Sequence, residues 1–128
     1  MIYTKQTSKS VERATQDLET AVVANGFGLL HTYDFRKILA GKGFNLPGEC
    51  RVFEVCNPKQ ASEVLAVDMA LNMVLPCRVS IYEDQGRTII GMVPPSDLLS
   101  LVSANPAIAT SAHEVEATMK RIIDDAAR

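Results

Sequence analysis

The stretch Cys50-Arg51-Val52-Phe53-Glu54-Val55-Cys56-Asn57-Pro58 contains the clearest strand signal of the chain and the point at which that strand ends. Side chains alternate between the two faces of a strand, so Phe53 and Val55 share one face. The opposite face carries Cys50, Val52, Glu54 and Cys56. Proline lacks a backbone N–H and fits the first turn of a helix, so Pro58 predicts that a helix follows at once.

A hairpin is predicted further along the chain. Leu75-Pro76 closes the helix, strands are expected at 77–83 and 88–93, and Asp84-Gln85-Gly86-Arg87 is a turn signal between them. If Gln85-Gly86 is a two-residue loop, Tyr82 lies opposite Ile89, whereas a longer, bulged loop shifts this pairing. With the short loop, one face is apolar and consists of Val79, Ile81, Ile90 and Met92. The other face is mixed and consists of Arg78, Ser80, Tyr82, Ile89 and Gly91.

The flanking segments alternate between strand and helix patterns. Residues 1–7 and 27–34 are typical of strands, and the helix between them is capped by Ser8 or Ser10. A short helix is expected over 35–42. Near the C-terminus, Ser96 is expected to cap a short helix, and Ser111 with Glu114 forms a capping-box pattern for the last one.

The order of elements is therefore β-α-β-(α)-β-α-β-β-α-α. This order predicts the α+β class, with a single mixed β-sheet of about five strands and helices mainly on one face. No linker, repeat or low-complexity tract interrupts the chain, so residues 1–128 are expected to form one domain.

Charge and cysteine content narrow the classes of partner. Thirteen Lys and Arg against fifteen Asp and Glu give a net charge of −2, which disfavours nucleic acid binding. No apolar run approaches the ~20 residues that span a bilayer, and no signal-peptide pattern opens the sequence. Three cysteines without a C-x-x-C spacing fit a reducing compartment, so we expect a cytoplasmic protein without membrane contact.

Several short motifs together resemble a known family. They are Gly26-Phe27-Gly28-Leu29-Leu30 with Asp34 and Lys42-Gly43, then Phe53-Glu54-Val55-Cys56-Asn57-Pro58, Leu75-Pro76-Cys77-Arg78-Val79, Tyr82-Glu83 and Pro94-Pro95. Over nearly its whole length the chain is similar to the bacterial and archaeal family called domain of unknown function 302. The resemblance implies a small α+β domain that associates as a homodimer. It implies no particular reaction or ligand.

Cys56 and Cys77 are the most notable candidate site residues, because each lies at a strand end marked by proline. If their strands are parallel neighbours, the length of the sheet separates the thiols, and a disulfide within the chain is impossible. If the strands are antiparallel, both thiols share one edge. Buried hydrophobic cysteines are one interpretation. A reactive Cys56 is the other, because the helix N-terminus at Asn57-Pro58 favours a thiolate.

Three further residues are candidates for ligand binding. A metal site assembled from Cys56, Cys77, His31 and Glu54 is conceivable, but no ligand spacing requires it, so the metal and any cofactor are unknown. A packed histidine is the simpler interpretation of His31. Arg78 is suited to an anionic ligand, or to an ion pair with Glu54 or Asp34.

The leading functional hypothesis is a homodimer that binds a small ligand or a partner protein. Tyr82, Ile89 and Ser80, with Arg78, form the candidate dimer or ligand face, although such a face can also simply be solvated. The alternative is a thiol-dependent role in redox chemistry, sulfur transfer or metal handling, centred on Cys56 and Cys77. No nucleophile–base pair or phosphate-binding loop is recognisable, so no catalytic residue is assigned and an enzyme is not favoured.

Overall fold

A five-stranded sheet forms the centre of the computed structural model, which describes residues 1–128. The strands are β1 (Tyr3–Thr7), β2 (Gly28–Asp34), β3 (Cys50–Cys56), β4 (Cys77–Asp84) and β5 (Arg87–Met92). Their spatial order is β1-β5-β4-β3-β2. The predicted α+β class and the single five-stranded sheet are confirmed.

Every pair of neighbouring strands is antiparallel, so the prediction of a mixed sheet was wrong. The reason lies in residues 57–76, which connect β3 to β4. They form helix α3 (Pro58–Val67) and a 3-10 helix (Met69–Val74), and then return the chain to the end of the sheet where β3 stopped. A parallel β4 needs a crossover that runs back along the sheet to its opposite end.

The hairpin between β4 and β5 has a two-residue loop, which is one of the two alternatives that the sequence left open. Tyr82 pairs with Ile89 and Ile81 pairs with Ile90. Gln85 and Gly86 have φ angles of 52° and 77°. Two successive positive φ values are typical of a type I′ turn, whose twist matches that of the flanking strands. The apolar and mixed faces inferred from this register are therefore confirmed.

The remaining helices are α1 (Val11–Ala24), α2 (Phe35–Ala40), α4 (Pro95–Ser100) and α5 (Pro106–Ala127). The backbone N–H of Arg13 donates to Ser10 Oγ at 3.1 Å, so Ser10 rather than Ser8 caps α1. None of the helices combines the length and the apolar composition that crossing a bilayer requires.

Two predicted helix starts were wrong. Helix α4 has no side-chain cap, and Ser96 hydrogen-bonds to Glu116 on α5 instead. Helix α5 begins after Asn105, whose side chain accepts a hydrogen bond from the backbone N–H of Ala107 at 2.9 Å. Ser111 therefore lies inside α5. An Asn cap followed by proline at the first helical position is a stronger local start signal than the capping-box pattern further along.

The main core lies between one face of the sheet and helices α1 and α5. Its sheet residues are Phe53, Val55, Val79, Ile81, Ile90 and Met92. A second, smaller cluster joins α3, α4, α5 and the 3-10 helix and consists of Val64, Leu71, Leu99, Ile108 and Ala112. The expectation that helices cover mainly one face is thus confirmed. The sheet face opposite α1 and α5 is called the open face; it carries His31, Tyr33, Glu54, Arg78, Ser80, Tyr82 and Ile89.

Candidate functional site

A cavity of about 290 Å³ lies at the end of the sheet where β3 stops and β4 begins. We call it the main cavity because its lining is mostly hydrophobic; it is partly open to solvent and is bordered by β2, β3, β4, α3, the 3-10 helix, α4 and α5. Eighteen residues line it, and twelve of them are hydrophobic. The lining consists of Phe27, Leu30, Val55, Cys56, Asn57, Gln60, Ala61, Val64, Leu65, Asn72, Leu75, Pro76, Cys77, Pro95, Leu99, Ser111, Ala112 and Val115.

The start of α3 determines where the cavity opens in the fold. Asn57 ends β3, and its side chain accepts a hydrogen bond from the backbone N–H of Gln60 at 3.2 Å. Pro58 occupies the first turn, as predicted. The helix buries Val64 but leaves Gln60 and Ala61 partly exposed along the cavity. Because the cap starts α3 directly at the end of β3, the first two turns of the helix lie beside the cavity.

The polar groups in the cavity wall are few and uncharged. The lining contains no Asp, Glu, Lys, Arg or His side chain. Asn57 is occupied in capping α3, and Asn72 Nδ2 donates to the carbonyl oxygen of Met69 at 2.6 Å. Each of these two amides is held by one hydrogen bond and keeps its other polar atom unpartnered, whereas the side chains of Gln60 on α3 and Ser111 on α5 form no hydrogen bond within the chain and are fully available to a bound molecule. No sequence signal identified these two residues, because α3 and α5 meet only in the folded chain.

Cys56 and Cys77 both line the main cavity. Cys77 pairs with Val55 in the antiparallel register of β3 and β4, and Cys56 is the next residue of β3, at the same end of the sheet. Of the two arrangements that the sequence allowed, the shared edge is therefore the one found. Both thiols are free.

Neither thiol has the lowered pKa that a reactive cysteine needs. Burial, and then the nearby Cys56, raise the pKa of Cys77 to about 11. Burial also raises the pKa of Cys56, although this residue precedes the N-terminus of α3. The cost of desolvating a thiolate thus outweighs the helix dipole, whose effect is modest and falls off within one turn. Both sulfurs are protonated at neutral pH.

His31, Glu54 and Arg78 form a different group, on the open face. His31 pairs with Glu54 across β2 and β3, and Glu54 pairs with Arg78 across β3 and β4. Tyr33 completes the group. Its hydroxyl donates to Glu54 Oε1 at 3.0 Å, and its ring packs edge-to-face against the His31 ring, with 4.4 Å between the ring centroids. The hydrogen bond to Glu54 is the main reason that the pKa of Tyr33 is raised.

The sequence-based site is thus divided between two places. Cys56 and Cys77 line the main cavity at the end of the sheet, whereas His31, Glu54 and Arg78 lie on the open face. No group of three or more His, Cys, Asp or Glu side chains is arranged to hold a metal ion, so the conceivable site from Cys56, Cys77, His31 and Glu54 is not assembled.

The ion pair expected for Arg78 does not form. Glu54 accepts the hydrogen bond from Tyr33 instead, and Asp34 caps α2 by accepting from the backbone N–H of Lys37 at 3.1 Å. Arg78 is exposed and forms no salt bridge within the chain. Tyr33 was missed by sequence reasoning. It pairs with Val52, and Val52 is two residues from Glu54 on the same face of β3, so Tyr33 and Glu54 are diagonal neighbours. The sequence did not reveal this contact because it depends on the register between β2 and β3.

Ser80, Tyr82 and Ile89 lie on the open face, as the hairpin register predicted. Tyr82 is directly opposite Ile89, and Ser80 is opposite Gly91. All three named side chains are half-buried. A Cβ added to Gly91 would lie 2.7 Å from Thr4 Cγ2, so glycine is needed for the close approach of β1 to β5.

Comparison with known proteins identifies relatives by sequence and by structure. A family model described as "Domain of unknown function DUF302" matches residues 3–126. Among solved structures, the chain is similar to the crystal structure of an uncharacterized conserved protein DUF302 from Bacillus stearothermophilus, with 29% sequence identity and a TM-score of 0.93. The superposition covers 99% of this chain and 98% of that one. No curated protein matches the chain.

Proposed function

The chain belongs to the DUF302 family, and we propose that it binds a small molecule in the main cavity without transforming it. The observation that carries this proposal is the cavity itself, an apolar space of about 290 Å³. Small-molecule sites are concave, mostly apolar, and typically ~300–1,000 Å³ in volume, so the main cavity is of the size that a compact ligand requires.

Binding is favoured over catalysis by the chemistry of the lining. General acid–base catalysis needs a group whose pKa lies near the working pH. The titratable groups of the lining are the thiols of Cys56 and Cys77, and the pKa of each is raised by burial. The same observation counts against a thiol-dependent function, since the thiolate rather than the thiol is the nucleophile and the metal ligand.

The experiment that tests the binding proposal obstructs the cavity. Ala61 lines it, whereas Ala66 lies on the same helix and is exposed. We expect saturation-transfer NMR with a set of small aromatic and aliphatic molecules to detect ligands that share one site. Ala61→Trp should abolish their binding and Ala66→Trp should preserve it. Ligands that bind the Ala61→Trp variant unchanged would refute the cavity as the site.

We further infer that two copies of the chain associate through the open face. Glu54 and Arg78 are neighbours there, and Arg78 forms no salt bridge within its own chain. A face that carries both signs is complementary to itself about a two-fold axis, because Arg78 of one copy can meet Glu54 of the other. Tyr82 and Ile89, both half-buried, are side chains of the kind that anchor interfaces.

Analytical ultracentrifugation tests this association. We expect the wild-type chain to sediment as a dimer at micromolar concentration, and Ile89→Glu to sediment as a monomer because it buries a charge at the interface centre. Thr20→Glu, at an exposed position of α1, is the matched control and should leave the dimer intact. A wild-type monomer at these concentrations would contradict the proposal.

The cysteines support a proposal about the compartment of the protein. Cys50, Cys56 and Cys77 are all unpaired. Because free thiols persist where glutathione and thioredoxin keep proteins reduced, we propose a cytoplasmic location.

A further inference from the structure

We infer that the ligand of the main cavity is an uncharged, largely apolar molecule of about the size of a substituted naphthalene, with one hydrogen-bonding group directed between Gln60 and Ser111. This inference rests on the proposed binding function and specifies the chemical class of its ligand. Three observations support it: the volume of the cavity, the absence of charge in its wall, and the position of its uncommitted polar groups.

The volume sets the size of the ligand. An engineered apolar cavity of about 150 Å³ binds one benzene molecule. The main cavity measures about 290 Å³, which is about twice that volume. Two fused six-membered rings, or a compact aliphatic molecule of similar volume, therefore fill it, whereas part of a three-ring molecule would extend into solvent through its opening.

The wall determines the charge of the ligand. None of its eighteen residues is Asp, Glu, Lys, Arg or His, so an ionised ligand group has no opposite charge to replace its lost water. The pKa of Cys77 also shows that the cavity disfavours a negative charge. Burial is the main cause that raises the pKa of its thiol to about 11, which means that the cavity already penalises a negative charge on its own wall.

The side chains of Gln60 and Ser111 determine the hydrogen-bonding group of the ligand. Gln60 approaches the cavity from α3 and Ser111 from α5, so they border it from two helices. A glutamine amide and a serine hydroxyl both donate and accept hydrogen bonds. A hydroxyl, carbonyl or primary amide on the ligand is therefore matched, whereas the rest of the ligand meets carbon and sulfur.

A matched pair of probes tests the charge of the ligand. At pH 7.4, 2-naphthamide is neutral and 2-naphthoate is an anion of nearly the same size and shape. We expect the amide to bind at least ~30-fold more tightly, because the carboxylate loses its hydration without a partner in the wall. Equal or tighter binding of 2-naphthoate would overturn the inferred class but leave the binding function standing.

Variants test the position of the ligand. Gln60→Leu keeps the size of the side chain and removes its hydrogen-bonding atoms, so the affinity for 2-naphthamide should fall about 5-fold while that for 2-methylnaphthalene is unchanged or rises. An equal loss for both probes would overturn the polar contact. If neither probe binds the wild-type chain at millimolar concentration, the inferred class is refuted, whereas the binding function is tested separately by the set of aromatic and aliphatic molecules. Any molecule that binds must lose its binding in Ala61→Trp and keep it in Ala66→Trp for the main cavity to be its site.

Discussion

Cys77 and Arg78 are neighbours in the chain, yet they face opposite sides of the sheet: the thiol lines the main cavity and the guanidinium lies on the open face. Glu54 and Val55 on the adjacent strand repeat this arrangement. Because strand side chains alternate, the proposed ligand site and the proposed dimer surface are two sides of the same strands.

Substitutions at these two neighbours should separate the two properties. Arg78→Ala should weaken self-association about 10-fold in sedimentation equilibrium, because it removes the charge proposed to meet Glu54 of the second copy, and it should leave the affinity for 2-naphthamide unchanged. Cys77→Ala should change that affinity, since it enlarges the cavity, and leave self-association unchanged. An equal effect of Arg78→Ala on both properties would contradict this division.

The thiols provide a second prediction. The rate of iodoacetamide labelling follows the thiolate fraction. Labelling of Cys56 should therefore have its midpoint above the pH at which free cysteine reacts, and Cys77 should have its midpoint near pH 11. Mass spectrometry of digested samples separates the two sites, and unfolding in urea should return both to ordinary cysteine behaviour. Rapid labelling of native Cys56 at pH 7 would instead support the thiol-dependent function.

Tyr3 and Asp124 connect β1 to α5, and their hydrogen bond should make stability depend on alkaline pH. The Tyr3 hydroxyl donates to Asp124 Oδ1 at 2.5 Å. This bond, followed by burial and by the negative charge of Asp124, raises the pKa of Tyr3 to about 12. Since the folded pKa exceeds the ordinary value of 10, the stabilisation is complete below pH 10 and is lost as the pH rises towards 12.

Tyr3→Phe is the corresponding variant. It should lower the free energy of unfolding by about 1 kcal/mol at pH 7, a modest value because both side chains retain contact with water. Urea unfolding monitored by circular dichroism gives this value. The difference from wild type should shrink between pH 10 and pH 12, and a difference that stays constant over that interval would show that the hydrogen bond is not its cause.

Glu116 on α5 binds the start of α4 and should make stability depend on acidic pH. Its Oε1 accepts hydrogen bonds from the backbone N–H of Ser96 at 3.1 Å and from the Ser96 hydroxyl at 2.5 Å. Burial opposes ionisation, but the bonds from Ser96 and the nearby Lys120 outweigh it, so the pKa of Glu116 is lowered. The stabilisation is therefore present at neutral pH and is lost as the pH falls through this lowered pKa.

Glu116→Gln should cost about 1 kcal/mol of unfolding free energy at pH 7. The difference from wild type should narrow as the pH falls below the ordinary glutamate pKa, because the carboxyl group of the unfolded chain is then protonated, and it should be smallest below the lowered pKa of folded Glu116. Glu114→Gln is the matched control, since Glu114 lies two residues away on the same helix and is exposed. A Glu114 variant that loses as much stability would point to the charge of α5 as a whole rather than to the contact with Ser96.

Local patterns in the chain determined most of the secondary structure. Alternation over Cys50–Cys56 predicted β3 with its observed bounds, and Gln85-Gly86 located the turn of the hairpin, although the register still depended on the length of the loop. These features depend on residues a few positions apart, whose conformational preferences act before any long-range contact is made. The start of α5 shows the limit of such patterns, since Ser111 and Glu114 resemble a cap although Asn105 provides the cap.

The main cavity could not be predicted in the same way. Cys56 and Cys77 were recognised as candidates, but whether they meet depended on the direction of β4, which the packing of residues 57–76 determines. Gln60 and Ser111 border one cavity only because α3 and α5 pack against the same sheet end. The sequence by itself thus determined the strands, the hairpin and the alternation that assigns each side chain to a face. Only the tertiary structure decided which of these faces border the cavity. That outcome depends on contacts between segments far apart in the chain, and the free energy gained from these contacts must exceed the conformational entropy lost in bringing the segments together.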